Sequence, residues 1–539
     1  MSEKKKTALI KWWNGVPRAV KAAFVCCFIA GFIVHIFAFT NIIPNSDGVS
    51  RVYDEQQMTV SGRWFLHYAS VWNGYFQAPA VIGFFSLLFM SLSASAVAAL
   101  FKIKSAFVGG ACGVLMIVFP SVAYTYLYTF TASAYFFGLL LAAAAVLLVT
   151  KYKFGFLFAA VPLACAIGTY QAYLAAAVSL SLIFVILYAM ENGRTAKDVA
   201  LCALKFIVFL SLGTLLYFGM LKLYLAAKEL TLLNYKGIGT LGEGLTLRGI
   251  AVLVYKTYKR FVSYFFLPRG FSSYTTVFSA VVNAGFAAVC LWAFVKLTVK
   301  NKRPKSNPGA FALTLVLCAL LPLALNLTVM MGEAMPIMRY ALVFTYVFAL
   351  VLADRASSLG EEDRDKDKKP RCFTLRGAAI LASVFVFIIS FNVDNIVYTV
   401  SAQAHRSSES FATRLVERVE SAPGYKNGME VVIIGGFPSG IYNNDIEPFS
   451  LIEDYSALST SVMPLNKHIY YYLNDWMNVT WREPDEDLMI AVSDSPGFQD
   501  MPLWPDDGCV KIQDGRVIVK LAEEYTPKKD YEKQYENRK

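Results

Sequence analysis

Between Asn41 and Asn73 the chain carries Asp47, Arg51, Asp54, Glu55 and Arg63, with Trp64, His67 and Trp72 among them. Acids, arginines and indole rings in one short stretch suit group transfer from a phosphate. A carboxylate can take the proton of an attacking hydroxyl, and cations can hold a departing phosphate. Arg suits the second task because its planar fork matches phosphate oxygens. Asp47, Asp54 and Glu55 are the candidate acids, and each has a plainer reading beside the chemical one. Asp47 lies in Ser46-Asp47-Gly48, a common turn sequence. Asp54 and Glu55 stand where ion-pair partners of Arg51 would stand. Arg63 suits a structural ion pair as well as a substrate contact, and His35 and His67 read as packing residues.

The elements that must position this stretch are apolar. Of 539 residues 56% are hydrophobic, and the mean hydropathy is +0.47. The excess is gathered in runs of about 20 residues, long enough to cross roughly 30 Å of hydrocarbon. Eleven spans are expected: Ala19–Thr40, Gln77–Leu100, Ala106–Val122, Ser133–Val149, Phe154–Thr169, Tyr173–Met190, Phe206–Leu225, Tyr274–Leu297, Ala310–Met331, Pro336–Ala353 and Gly377–Val400. The start, MSEKKK before an apolar run, resembles a signal peptide. The run is too long for one and no small-x-small site follows, so an uncleaved first helix is expected.

Charge gives the sidedness. The net charge of +11 does not point to nucleic acid, because the cations lie between apolar runs. Lys4, Lys5, Lys6, Lys11 and Arg18 place the N-terminus in the cytoplasm. Every loop that then falls inside is basic, from Lys102 and Lys104 to Arg355 and Arg371. An odd number of spans puts the C-terminal segment outside, and the acid-bearing stretch becomes the first outer loop.

One outer loop departs from the rule, with Lys228, Lys236, Arg248, Lys256, Lys259, Arg260 and Arg269. Within it, with aromatic residues interleaved, Leu247–Phe266 fits an interfacial helix, apolar on one side and basic on the other. Its cations suit a phosphate headgroup, or anionic membrane lipid in general. Arg339, just inside the tenth span, needs protein, water or a counter-charge around it, and Glu333 is near in sequence.

Ser401–Lys539 is more polar. It predicts a helix over Ser407–Glu420 capped by Ser407 or Ser408, a strand Glu430–Ile434, a helix Asn466–Asn478 and a strand Leu488–Val492. A hairpin of Gly508–Gln513 and Arg516–Leu521 turns at Asp514-Gly515. The GGFPSG stretch after the first strand reads as an ordinary turn, and Lys528–Lys539 as a charged tail. The expected fold is an all-α polytopic membrane domain of about 11 transmembrane helices (1–400, outer loops 41–76 and 226–273), followed by a small extracytoplasmic α/β domain (401–539). The nine cysteines form no metal-type pair, no structural disulfide is expected, and no acid cluster has the spacing of a metal site.

PNSDG followed by SGRW, then GTYQAY at Gly168–Tyr173, PIMR at Pro336–Arg339 and FNVDNIVY at Phe391–Tyr398 come in this order, most of them expected on the outer side. Together they resemble the bacterial O-antigen glucosyltransferase family of the Gtr type-two kind. The resemblance implies a GT-C-like membrane glycosyltransferase in the bacterial cell membrane. Such an enzyme takes a hexose, here glucose, from a polyprenyl-phosphate-linked donor. It places the sugar on a surface polysaccharide or teichoic acid on the outer face. Carried over, Asp47 matches the family's first-loop acid. Arg63 and Trp64 match its GRW, Tyr170 and Gln171 its YQ, and Arg339 its outer arginine. Where the family has two adjacent acids, Ser46 precedes a single Asp47 here, so Asp54 or Glu55 stands as the candidate second acid. Arg339, Arg63, Lys256, Arg260 and Arg269 are the candidate phosphate ligands, and Trp64, Trp72, Tyr170 and Gln171 the candidate sugar contacts. No cofactor is implied. Two other classes compete: a transporter or flippase of lipid-linked saccharides, which should show internal repeats, and a non-catalytic scaffold of envelope assembly.

Overall fold

The computed structural model describes residues 13–233, 246–267, 277–300, 303–330, 335–362, 374–442 and 461–527. Their contacts divide into two units. One comprises Met1–Asn41, Glu55–Tyr126 and Thr131–Asn395; the other Ile42–Asp54, Leu127–Phe130 and Ile396–Lys539. The first outer loop is thus shared, its Asp47 half belonging to the second unit and its Arg63 half to the first.

The longer helices are, in chain order, α1 (Arg18–Thr40), α2 (Pro79–Leu100), α3 (Ala106–Val118), α4 (Thr129–Lys151), α5 (Ala160–Thr169), α6 (Tyr173–Ala189), α7 (Ala196–Ala227), α8 (Leu247–Phe266), α9 (Val277–Lys300), α10 (Pro308–Leu325), α11 (Phe344–Glu362) and α12 (Leu375–Glu420). Each of the eleven expected spans contains helix among its described residues, although the third is interrupted at Phe119–Pro120 and the tenth opens as a 3-10 stretch. Among the described residues eight segments are long and apolar enough to cross a membrane. The apolar helices at the third, fifth and sixth spans are shorter: Ala106–Val118, Gly155–Thr169 and Tyr173–Ala189.

Small residues let the short helices pack closely. Gly109 and Gly113, one turn apart on α3, lie against the backbone of α1. A Cβ on either would stand 2.2 Å from the carbonyl of Ala19 or of Ala23. Backbones that approach this closely gain dispersion contact without long side chains, which is how helices associate in an apolar solvent. His35 of α1 meets the end of α3, its Nε2 2.9 Å from the Ile117 carbonyl. That carbonyl is one of the four which every helix terminus leaves unmatched.

Elsewhere in the same unit, the loops expected inside meet one another. Asp354 of α11 accepts from the backbone N–H of Lys104 (2.9 Å) and of Ser105, and from Arg376 Nε (3.0 Å). Arg355 donates to the carbonyls of Leu187 and Phe101, at the ends of α6 and α2.

The second unit holds a three-stranded sheet. β1 (Val431–Ile434) is parallel to β3 (Arg516–Lys520), and β2 (Val510–Gln513) is antiparallel to it, in the order β1-β3-β2. The β2–β3 turn is the expected Asp514-Gly515, both at positive φ as a two-residue hairpin requires. Both faces are covered, which is why β1 reads VVII without alternation. Val431 and Ile433 face Phe411, Leu415 and Val419 of α12 and Tyr470 of α13 (Asn466–Met477). Val432 and Ile434 face Met489 and Phe498. Tyr470 and Tyr472 are buried in this core.

Two expectations are corrected here. Leu488–Val492 is not a strand but part of a helix, α14 (Glu486–Ser493). Its Glu486 and Asp487 suit a helix N-terminus, and Met489 and Ser493, four apart, form the buried face. No helix starts at Ser407 or Ser408, because α12 runs unbroken from Leu375 to Glu420. Ser408 Oγ instead donates back to the Ala404 carbonyl (2.8 Å). The tail from Lys528 lies outside the described residues.

The Tyr470 hydroxyl closes the outer edge of β1, accepting from Ile433 N (2.8 Å) and donating to the Val431 carbonyl (2.9 Å). Tyr470→Phe leaves both groups buried and unmet, at a cost of about 1–3 kcal/mol. The expected result is faster hydrogen exchange in the peptides of β1 and β3 of the full chain in detergent, with exchange in α1–α3 unchanged.

Candidate active site

In the membrane unit, two of the sequence motifs come together. After the short turn Thr59–Ser61 the chain passes through Gly62, at φ +81. A Cβ there would stand 2.6 Å from Gln171 Nε2 and 2.7 Å from the Tyr217 hydroxyl, so both conformation and space demand glycine. The freed space admits two donors. Gln171 Nε2 donates to the Ser61 carbonyl (2.9 Å), and the Tyr217 hydroxyl donates to the Gly62 carbonyl (3.1 Å). Phe65 N then donates to the Gly168 carbonyl (2.9 Å). The GRW stretch is therefore latched to the YQ turn between α5 and α6 and to α7.

The candidate side chains follow from that course. Arg63 lies over the ring of Tyr170, its guanidinium carbon 5.5 Å from the ring centre, a distance at which a cation is held by the ring. Tyr170 stacks on Tyr135 at 4.5 Å. Trp64 is 6% exposed, stacked on Tyr224 and pressed against Gly168. Trp72 is 42% exposed and packs edgewise on Phe89 and Phe137. Glu55 is half-buried, its carboxylate accepting from Gln57 Nε2 (2.8 Å) and its carbonyl facing His67 Nδ1.

Arg339 sits, half-buried, on a 3-10 stretch, Pro336–Val343, that leads into α11. Ser121 Oγ donates to the Pro336 carbonyl (2.8 Å) and the Tyr340 hydroxyl to the Met116 carbonyl (3.0 Å). Its suggested partner Glu333, and the candidate Arg269, lie outside the described residues.

The amphipathic helix α8 has the bounds expected of it. Thr246 caps it, accepting from Gly249 N (3.0 Å), and Asn326 Nδ2 donates to the Thr257 carbonyl. Lys256, Lys259 and Arg260 are exposed. Lys256, Arg260 and Tyr264 recur every four residues and so share one stripe. Tyr264 forms a wall of a small cavity, about 30 Å3, together with Phe119, Ser279, Asn283, Tyr346 and Ser390. On the other side of Asn283 and Tyr346 opens a groove of about 410 Å3 that is almost wholly apolar, with Phe261, Phe265, Leu291 and Phe294 in its walls. Asn283 is braced, donating to the Phe265 carbonyl (2.9 Å) and accepting from the Tyr346 hydroxyl (2.8 Å). The sequence reading passed over Asn283 and Tyr346, single polar groups inside apolar runs.

Asp47 and Asp54 belong to the second unit. Asn45 Oδ1 accepts from Gly48 N (2.7 Å) and shapes the PNSDG turn. Asp47 is exposed; its backbone carbonyl accepts from Arg51 Nε (2.8 Å), and its carboxylate has no hydrogen bond among the described residues. Asp54 forms an ion pair with Arg51, whose guanidinium also covers Phe130. Val49 is buried in the core of this unit, its carbonyl accepting from Trp476 Nε1 (2.7 Å). Among the described residues no group of three or more His, Cys, Asp or Glu could hold a metal ion.

The latch is testable by itself. Gln171→Leu keeps the shape but leaves the Ser61 carbonyl unmet, at about 1–3 kcal/mol. The expected outcome is a lower melting temperature in detergent and freer access of a thiol reagent to a cysteine placed at Ser61.

The family model described as glucosyl transferase GtrII matches residues 36–352. No curated protein and no solved structure matches. The matched stretch runs from the end of α1, through both halves of the first loop and the YQ turn, to Arg339 and the first part of α11. It covers more than half of the chain, which therefore belongs to the GtrII glucosyl transferase family.

Proposed function

We propose that this glucosyltransferase moves glucose from a polyprenyl-phosphate-linked donor to a cell-surface glycan, a polysaccharide or teichoic acid, on the outer face of the bacterial cell membrane. The observation that carries the donor class is the pairing, in one unit, of the apolar groove with the basic stripe of α8. A long apolar tail with an anionic head has those two needs.

The two features contribute differently. An isoprenoid tail gains little by moving from lipid into an apolar groove, because both are hydrocarbon-like. The groove orients the donor. Affinity comes from charge: a hydrogen bond from Lys or Arg to phosphate contributes about 1.5–3 kcal/mol. Lys256 and Arg260 are the proposed ligands of the donor phosphate, with Arg63 and Arg339 proposed to hold charge as it develops. The outer site of Arg269 would act with them.

In the proposed reaction the acceptor oxygen bonds to the anomeric carbon and loses its proton to the Asp47 carboxylate. The bond from that carbon to the phosphate oxygen breaks, and its electron pair leaves with the phosphate. Asp47 is proposed because its carboxylate is exposed and has no hydrogen bond among the described residues, while Asp54 is held by Arg51 and Glu55 by Gln57. Trp72, Tyr170 and Trp64 remain proposed sugar-side contacts; the burial of Trp64 gives it the role of backing the Arg63 loop.

Transfer of labelled glucose from polyprenyl-phosphate glucose in membranes tests the reading. Asp47→Asn should lower the rate at least about 100-fold, as loss of a general base does, and Arg339→Ala about tenfold or more. Lys256→Gln with Arg260→Gln should raise the donor KM about tenfold with kcat little changed. Wild-type rates in both Asp47→Asn and Arg339→Ala would refute the site. For the sidedness, a cysteine at Ser439 should react with an impermeant maleimide from outside intact cells. Labelling only after lysis would reverse the orientation.

A further inference from the structure

The last apolar run of the chain contains a single acid, Asp394. It lies on α12, within the membrane unit, and outside the stretch matched by the family model. Its side chain is wholly buried. Neither carboxyl oxygen has a hydrogen-bond partner among the described residues. A carboxyl group enclosed in this way is costly to keep, and an ionisable group inside a membrane segment marks a functional site by default.

The helix says what lies next to it. Ser390 is one turn earlier on the same face, and Ser390 and Val393 form one wall of the small cavity described above. Helical side chains lean toward the N-terminus, so Asp394 covers the turn of Ser390. The opposite wall carries Tyr264, the end of the Lys256–Arg260 stripe, and Asn283, which the cavity shares with the apolar groove. At about 30 Å3 the cavity has room for one water-sized polar group and not for a sugar ring.

Hydrogen bonding decides which group that is. A carboxyl oxygen accepts from a sugar hydroxyl and has no cation to offer a phosphate, whereas the exposed cations of α8 suit phosphate. We propose that Asp394 is a sugar-binding residue that accepts a hydrogen bond from one hydroxyl of the donor's hexose, inserted beside Ser390. The two ends of the donor head are then told apart, phosphate toward Lys256 and Arg260 and hydroxyl toward Asp394. This rests on the lipid-linked donor proposed above. It makes Asp394 a determinant of which sugar is carried.

The test uses the full chain in lipid nanodiscs with polyprenyl-phosphate glucose and its 2-, 3-, 4- and 6-deoxy analogues. Asp394→Leu should lower kcat/KM for the glucose donor about 10- to 100-fold, the fold-change of leaving one enclosed hydroxyl without its partner. For one deoxy donor, the one lacking the bound hydroxyl, wild type and variant should agree within about twofold. Asp394→Asn and Asp394→Leu should both melt at or above the wild-type temperature, because an unpaired buried carboxyl is removed. An unchanged kcat/KM, or a gap that persists with all four deoxy donors, overturns the proposal while leaving the donor reading intact. Lower melting temperatures in both variants with an equal gap for every donor would show a merely structural residue. No transfer by wild type from any of these lipids removes the donor reading and this inference with it.

Discussion

The hydrogen bond from Gln171 to the Ser61 carbonyl, with that from Tyr217 to the Gly62 carbonyl, decides where the first loop of the membrane unit runs. A backbone carbonyl buried among helices has no water to satisfy it, so side chains from neighbouring helices must do it. Once those carbonyls are met, the direction of Arg63 and Trp64 follows: one over Tyr170, the other onto Tyr224. Gly62 is the condition for all of this, since any side chain there would displace both donors. Two motifs more than a hundred residues apart, SGRW and GTYQAY, thus form one piece of structure.

The cations of the membrane unit fall into two kinds. Arg355 is committed to helix-end carbonyls, and Arg376 to Asp354 and Ser358. They join loops and have little capacity left for a ligand. Lys256, Lys259 and Arg260 stand exposed on α8, whose apolar face is docked through Phe265. Sequence shows both kinds as basic residues beside apolar runs; only packing separates them.

Legibility followed the length and regularity of the signal. Helix α8 was readable to the residue, because twenty residues of amphipathic period carry cations on one side and apolar residues on the other. The Asp514-Gly515 hairpin was readable because few dipeptides take positive φ twice. Leu488–Val492 misled because five mostly apolar residues suit a strand or a buried helix equally well. The unbroken α12 was missed since Ser407 and Ser408 look like a cap, whereas nothing local breaks the helix before them. The parallel pairing of Val431–Ile434 with Val517–Lys520 joins residues far apart in the chain, and no local pattern encodes that. Motif order drew Asp47, Arg63, Tyr170, Gln171 and Arg339 forward as candidates, and of these the structure brings Arg63, Tyr170 and Gln171 to one place. Asn283 and Tyr346 were not singled out, because one polar residue in an apolar run does not disturb the pattern that names the run; Asp394 stood inside FNVDNIVY without a role of its own.

Helix α3 has thirteen residues, about 20 Å of rise. The hydrocarbon layer is roughly 30 Å thick. A rod that short, pinned to the α1 backbone by Gly109 and Gly113, is shorter than that layer. The chain beyond it, Phe119–Tyr126, is no longer part of the same helix, and Ser121 ties it to the Pro336 carbonyl. The third apolar run is thus a broken rod, whose second piece takes its place from a stretch more than two hundred residues away.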